Sequence, residues 1–411
     1  MGRQEQTNHL FSNRDLRILL VPLIVEQILN SLMGTADSIM VSNVGSAAIS
    51  AVSLVDSINI LVIQAFYALA AGGTIVCSQY IGQKDKKNAE ESARQLSFVV
   101  ACISSAVMAV CLLTRGPLLR LIFGSVEADV MKAAQIYFFY TALSFPFIAL
   151  YDAGSSIYRA QGNTRLPMTI AVVSNGLNIA GNAVLIWGFH LGVAGAAIAT
   201  CLGYCVPSIV GLVYFTKNRT GSLYFVPFKF DGATLAAACG NGSSEMVSNI
   251  ANAITTFVFN TLFMRYRGED GVAAITIAMY FQFVFTAVYF GFSMGVAPVI
   301  SYKFGEKNIP QLRHIFRICM TFVLACSLGT YVLSWLTLEP ALTLFTPRGS
   351  SVYEIAMHGF PIYAVSFLLM GTSIFASSLF TALSDGLVSA IISFSRTLVF
   401  LVAMLLLLPL I

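Results

Sequence analysis

Charged residues are scarce in this chain: Lys, Arg, Asp and Glu together make up 10% of its 411 residues, against roughly 25% in an ordinary soluble domain. Histidine is scarcer still, with His9, His190, His314 and His358 too scattered to form a ligand cluster. There is no Walker phosphate loop, no H-E-x-x-H and no G-x-S-x-G, so the usual signatures of nucleotide, zinc and serine hydrolase chemistry are missing. The eight cysteines form no C-x-x-C pair and fall in or beside apolar stretches, which reads as small buried hydrophobes rather than a disulfide or metal framework. The polar run Met1 to Arg17 carries no A-x-A-like cleavage site and is not a signal peptide. What fills the sequence instead is apolar: 57% of residues are hydrophobic and mean hydropathy is +0.79. One soluble core cannot hide that much apolar surface. A soluble enzyme and a nucleic-acid binder are excluded, and the surrounding solvent is a lipid bilayer.

A bilayer core takes about 20 predominantly apolar residues per helix, more with tilt. Eleven such stretches occur, at about 17–41, 47–80, 95–114, 133–158, 166–188, 193–216, 234–264, 271–302, 315–336, 353–380 and 387–411. Pro22, Pro146, Pro207, Pro298 and Pro361 lie inside them and are candidate kinks. With the N-terminus inside the cell, sixteen of the 23 Lys and Arg fall on the cytoplasmic face and six on the other, Arg396 being within the last span. That bias predicts a cytoplasmic N-terminus.

The chain also repeats itself. GGTIVCSQYIG (72–82) resembles GVAPVISYKFG (295–305) at an offset of 223, which also sets Gly45 on Gly268. SSIYRAQGN (155–163) resembles SSLFTALSD (377–385) at an offset of 222. Six spans separate the copies, so both halves share one orientation, related by an axis along the membrane normal with a cavity expected between them. The expected organisation is a six-helix N-terminal lobe at 1–216, a cytoplasmic linker at 217–233 and a C-terminal lobe at 234–411. The first half has a sixth span whose counterpart would begin near 415, so a twelfth helix is expected that this sequence does not contain.

Polar residues inside spans are costly and are functional candidates by default. Glu26, Asn30 and Asp37 lie within roughly 40° of one another on the first span, at about 100° per residue. Asn175, Asn178 and Asn182 form a stripe on the fifth, and Glu245, Ser248, Asn249, Asn252, Thr256 and Asn260 one on the seventh. Asp56 and Asp152 are further acids, the first read as solvated or capping near a helix start, the second within reach of Arg159 at i+7. Acids outnumber bases inside, and a carboxylate in low dielectric takes up a proton, Na⁺ or an organic cation. Amide and hydroxyl groups supply oxygen ligands for a small cation, but they also cross-link helices at about 0.6 kcal/mol each. Phe281, Phe283 and Phe285 are candidates for an apolar wall, or for core and lipid contact. Gln282 stands among them on the eighth span.

With EQILNSLMGTADSIMVSNVG (26–45), YRAQGNTRLPM (158–168), NIAGNAVLIWGFHLGVAGAAIAT (178–200), NGSSEMVSNIANA (241–253) and the 295–305 stretch in order, the chain resembles the bacterial branch of the multidrug and toxic compound extrusion family. The resemblance implies an all-α polytopic membrane protein of two six-helix lobes around a central cavity. It implies secondary active efflux of amphipathic organic cations in exchange for H⁺ or Na⁺, in the cell membrane, as a monomer and without a cofactor. It also implies a cation site at Asp37, Asn178, Asn182 and Thr200. Some members carry an aspartate where this chain has Asn182, and asparagine there ligates Na⁺ but exchanges no proton. Glu245 matches the first of a carboxylate pair found in the second lobe of other members, whereas the tenth span has no acid beyond Glu354 at its start. Glu26, Asn30, Asp152, Glu245, Asn249 and Gln282 are the expected substrate-cavity residues. The alternatives are a lipid-linked oligosaccharide flippase of the same superfamily, which favours a cationic cavity, and more remotely a channel or membrane-embedded enzyme.

Overall fold

A computed structural model describes residues 13–42, 44–124, 127–217, 230–400 and 403. The N-terminal polar run before Asn13, most of the 217–233 linker and the end of the last span therefore lie outside the described residues. The helices are α1 (Asn13–Ser42), α2 (Ser46–Gly82), α3 (Lys86–Phe123), α4 (Ala128–Leu143), α5 (Phe145–Ala160), α6 (Arg165–Asn182) and α7 (Gly192–Lys217). They continue with α8 (Gly232–Gly305), α9 (Ile309–Phe345), α10 (Ser351–Ala364), α11 (Phe367–Ala382) and α12 (Gly386–Phe394). No strand occurs among the described residues. Among the described residues, seven helical stretches are long and apolar enough to cross a membrane, nine when each of two bent pairs counts as one. The shorter apolar helices Val21–Asn30 and Gly386–Val399 stand at the first and eleventh positions.

The prolines divide into two classes. The pair α4/α5 bends by 42° at Ser144, with Pro146 in the first turn of α5. The pair α10/α11 bends by 48° one turn beyond Pro361. A proline lacks the N–H that closes the preceding turn, which accounts for the bend just before Pro146; the α10/α11 bend lies beyond Pro361, and the missing N–H does not place it. Pro22, Pro207 and Pro298 instead run inside continuous helices. Two π-helical turns, Ala183–Gly188 and Ser395–Phe400, follow α6 and α12.

The repeat is written into the turns. Lys84 and Lys307 both adopt positive φ, 61° and 55°, and are followed by the N-caps Asp85 and Asn308. Each cap accepts a hydrogen bond from the backbone N–H three residues on, at 3.2 Å. Gly162 and Ser384 repeat this at φ 77° and 62°, ahead of Asn163 and Asp385, whose side chains accept from Leu166 N and Val388 N. The Gly45/Gly268 pair marks breaks at φ 139° and 63°, the latter dividing α8. Because a lost N-cap costs about 1 kcal/mol, Asp85→Ala and Asn308→Ala are each expected to lower stability by about that amount. Asp85→Asn should keep it. Thermal unfolding of the purified variants in detergent checks both.

The chain divides into two compact units, one spanning Val21–Gly242 and the other containing Ser243 onward. In the first, the core gathers Phe66 of α2, Phe138 of α4 and Phe145 of α5 with smaller residues from α1 and α7. The first turns of α8 belong to it. Gln95 on α3 donates to the Asp231 carbonyl at 2.6 Å and accepts from its N–H at 3.2 Å. Exposed Asp231 caps α8, and the hydrogen bond from the Thr234 hydroxyl, followed by that from Ala233 N–H, holds its carboxyl below the usual range. Its stabilising contribution is therefore present at neutral pH and lost as pH falls through the carboxylate range. In the second unit, Tyr289, Phe360 and Phe367 form the centre of an aromatic core.

Candidate functional site

The three polar positions of α1 each find a partner inside the N-terminal unit. Asn175 of α6 donates to Asn30 at 3.3 Å, and Asn182 of α6 donates to Asp37 at 2.5 Å. Both contacts bridge the same sequence separation, so α1 and α6 run parallel with their stripes in register. Asn182 also donates to Asn178 at 3.2 Å, and Asn178 donates to Thr200 of α7 at 3.1 Å. Thr200 in turn donates to the Ala196 carbonyl. Asp37, Asn182, Asn178 and Thr200 thus form one continuous chain across three helices. Asn178 and Asn182 are almost wholly buried, at 1% and 0% exposure. The Oδ1 of Asn182 has no partner. A buried acceptor left open beside a carboxylate is expensive unless something positive fills it.

Asp56 departs from its expected role. It lies ten residues inside α2, not at a helix start, and accepts a hydrogen bond from buried Tyr137 at 3.2 Å. It also faces Asp37 electrostatically. Tyr137 and Tyr204 line the same neighbourhood. Sequence spacing had no means of placing α2 or α4 beside α1, although an acid ten residues into an apolar span was the available signal. Arg159 also finds a different partner from the one expected: it donates to Glu26 of α1 at 2.5 Å, both side chains being buried. Asp152 stays close by, one of its oxygens unpaired.

In the C-terminal unit, half-buried Glu245 faces Arg396 of the second π turn. Asn249 is half-buried one turn beyond Glu245. Gln282 accepts a hydrogen bond from Tyr363. The aromatic trio splits, with Phe285 buried against Phe367, Phe281 partly buried against Phe360, and Phe283 60% exposed. A run of hydroxyls that sequence reading missed links Ser244, Thr381, Ser389, Ser377 and Ser393. Serine in apolar helices is common, and only the register brings these five together. No group of three or more His, Cys, Asp or Glu arranged to hold a metal occurs among the described residues.

A family model described as MatE matches residues 22–184 and 246–406. The chain belongs to the MatE family. It is therefore a multi-pass membrane transport protein. An uncharacterized transporter, YisQ of Bacillus subtilis, is 33% identical over 52% of this chain and 46% of its own length. This chain thus spans about half of that relative. The multidrug export protein MepA of Staphylococcus haemolyticus is 24% identical, covering 85% of this chain and 78% of its own. The outward-facing structure of a multidrug resistance MATE transporter of the MOP superfamily superposes with a TM-score of 0.88 at 22% identity, over 95% of this chain and 87% of that one. At that identity the superposition establishes the two-lobed helical fold.

Proposed function

We propose that this protein is a secondary antiporter that exports amphipathic organic cations in exchange for H⁺ or Na⁺. The reading is carried by one observation: the open Oδ1 of Asn182 beside Asp37, within a buried polar chain that ends at Thr200. Asp37 supplies the charge, and Asn182, Asn178 and Thr200 supply neutral oxygens. Asp56, facing Asp37, supplies the second acid of the neighbourhood. Ion and substrate must bind the two transport states unequally for exchange to be coupled. In the cycle we infer, the cation taken up at Asp37 favours release of the organic cation, and its discharge to the cytoplasm resets the carrier. Asn30, Glu245, Asn249 and Gln282 are the positions that meet the substrate. Glu26 and Asp152, tied up with Arg159, are given another role below. The excess of Lys and Arg on one face supports a cytoplasmic N-terminus, with the protein in the plasma membrane, and we take it as a monomer with no resident cofactor.

Inside-out vesicles carrying the full-length protein test this directly. A fluorescent organic cation is expected to accumulate under an imposed Na⁺ gradient or an imposed pH gradient, and to leak out when an ionophore collapses it. The gradient that works names the ion. Inserted, folded protein that moves no dye under either gradient would overturn the antiport reading and bring lipid flipping forward.

A further inference from the structure

The N-terminal unit contains a second buried charge cluster that shares no hydrogen bond with the Asp37 chain. Glu26 on α1 pairs with Arg159 on α5 at 2.5 Å, at 2% and 8% exposure. Asp152 and Ser155 stand on α5 seven and four residues before Arg159, so all three lie along one helix face. Four buried polar atoms here lack a partner: Glu26 Oε2, Asp152 Oδ2, Ser155 Oγ and Arg159 Nε. The titratable groups facing the cluster are Tyr67 from α2, Tyr151 on α5 itself and Tyr204 from α7. Two carboxylates against one guanidinium leave a net charge of −1. An uncompensated charge in such a place costs several kcal/mol, and open acceptors add to that.

We propose that Glu26, Asp152, Ser155 and Arg159 form a second ion site, which binds one proton shared between the two carboxylates. One proton neutralises the cluster and turns a carboxyl into a donor for one of the open oxygens. A metal cation fits less well. The site's oxygens without a partner number three, and the guanidinium that grips Glu26 repels a metal ion. A cleft of about 30 Å³ is lined by Ser97, Tyr151, Gly154, Ser155, Tyr158 and Ser208. A single water needs roughly 10–15 Å³ by such a measure, so water fits in a cleft that borders the site at Ser155, while Glu26, Asp152 and Arg159 lie behind its lining. Arg159 is a positioning residue that fixes Glu26 and sets the count at one proton.

Infrared difference spectroscopy of the full-length protein in lipid, between acid and alkaline pH, reads protonated carboxyl groups by their C=O stretch. In an Asp37→Asn background, Asp152→Asn is expected to remove the intensity of one titrating carboxyl, and Glu26→Gln to remove or shift the same band. Both changes keep side-chain shape, and either variant alone serves if the other fails to fold. If neither substitution alters the titrating bands, the site is overturned. If NaCl, compared with choline chloride at constant pH, abolishes the band, the site takes an alkali ion and the proton assignment fails. The readout needs no transport, so dye exchange can fail while this site stands, and the reverse.

Discussion

Vesicles carrying Asp37→Asn are expected to accumulate dye no faster than protein-free vesicles under whichever gradient drives the unaltered protein. The substitution keeps the shape of the side chain and removes its charge. Asn182 donates to Asp37 at 2.5 Å and leaves its own oxygen open. Without the carboxylate, the hydrogen-bonded run from Asn182 through Asn178 to Thr200 holds only neutral groups. Coupling free energies of about 1–3 kcal/mol correspond to roughly 5–150-fold in affinity, so active accumulation should fall by about tenfold or more. Thr200→Val acts three hydrogen bonds away from Asp37, through Asn178 and Asn182. It should slow accumulation without abolishing it, because the charge remains and one neutral oxygen is lost. Initial rates at matched protein content distinguish these outcomes. An Asp37→Asn protein that concentrates dye like the parent would remove Asp37 from the mechanism. It would leave Asp56 as the acid to examine.

How far such residues are legible without coordinates depends on whether their partners share a helix. Asp37, Asn30 and Glu26 stood out because a 100° step puts them on one face of an apolar segment, and that stripe does meet α5 and α6. The cross-helix distances did not follow from periodicity. Arg159 is the clearest case. A carboxylate seven residues back on its own helix is a reasonable partner by spacing, but α1 brings Glu26 closer. Asp56 was misread although the expected second span began within one residue of Ser46, where α2 starts; what periodicity could not supply was its partner, Tyr137 on α4. The repeat was legible from segment similarity at offsets of 222 and 223, whereas the positive φ of Lys84, Lys307 and Ser384 leaves no mark in residues of those types. Bends were half legible. Pro146 and Pro361 accompany them, whereas Pro22, Pro207 and Pro298 sit within unbroken helices. The π turns left no mark in composition at all.

Gly242→Ala and Gly72→Ala should be the most damaging single-methyl additions in the N-terminal unit. Lipid tails are as apolar as leucine, so helices in a membrane associate through close packing, and small residues four apart let backbones touch. Here Ala68 and Gly72 on α2 meet Ala238 and Gly242 on α8. A methyl built on Gly72 would overlap the Ala238 carbonyl oxygen, and one on Gly242 the Ala68 carbonyl oxygen. Backbone yields far less than a side chain, so the helices must separate. Overpacking typically costs about 1–3 kcal/mol, and a reciprocal backbone clash belongs at the upper end. Gly73→Ala is the milder comparison, because its methyl meets only the Leu96 side chain. Gly240→Ala meets nothing within 4 Å and should be neutral, or stabilising by up to about 1 kcal/mol through helix propensity. Thermal unfolding in detergent should therefore rank Gly240→Ala as most stable, then Gly73→Ala, then Gly72→Ala and Gly242→Ala. If Gly242→Ala unfolds with Gly240→Ala, the close seat of α8 on α2 is wrong. The start of α8 would then be held mainly by the Gln95–Asp231 clasp and the Tyr80–Thr234 contact, and Gln95→Ala would become the damaging change.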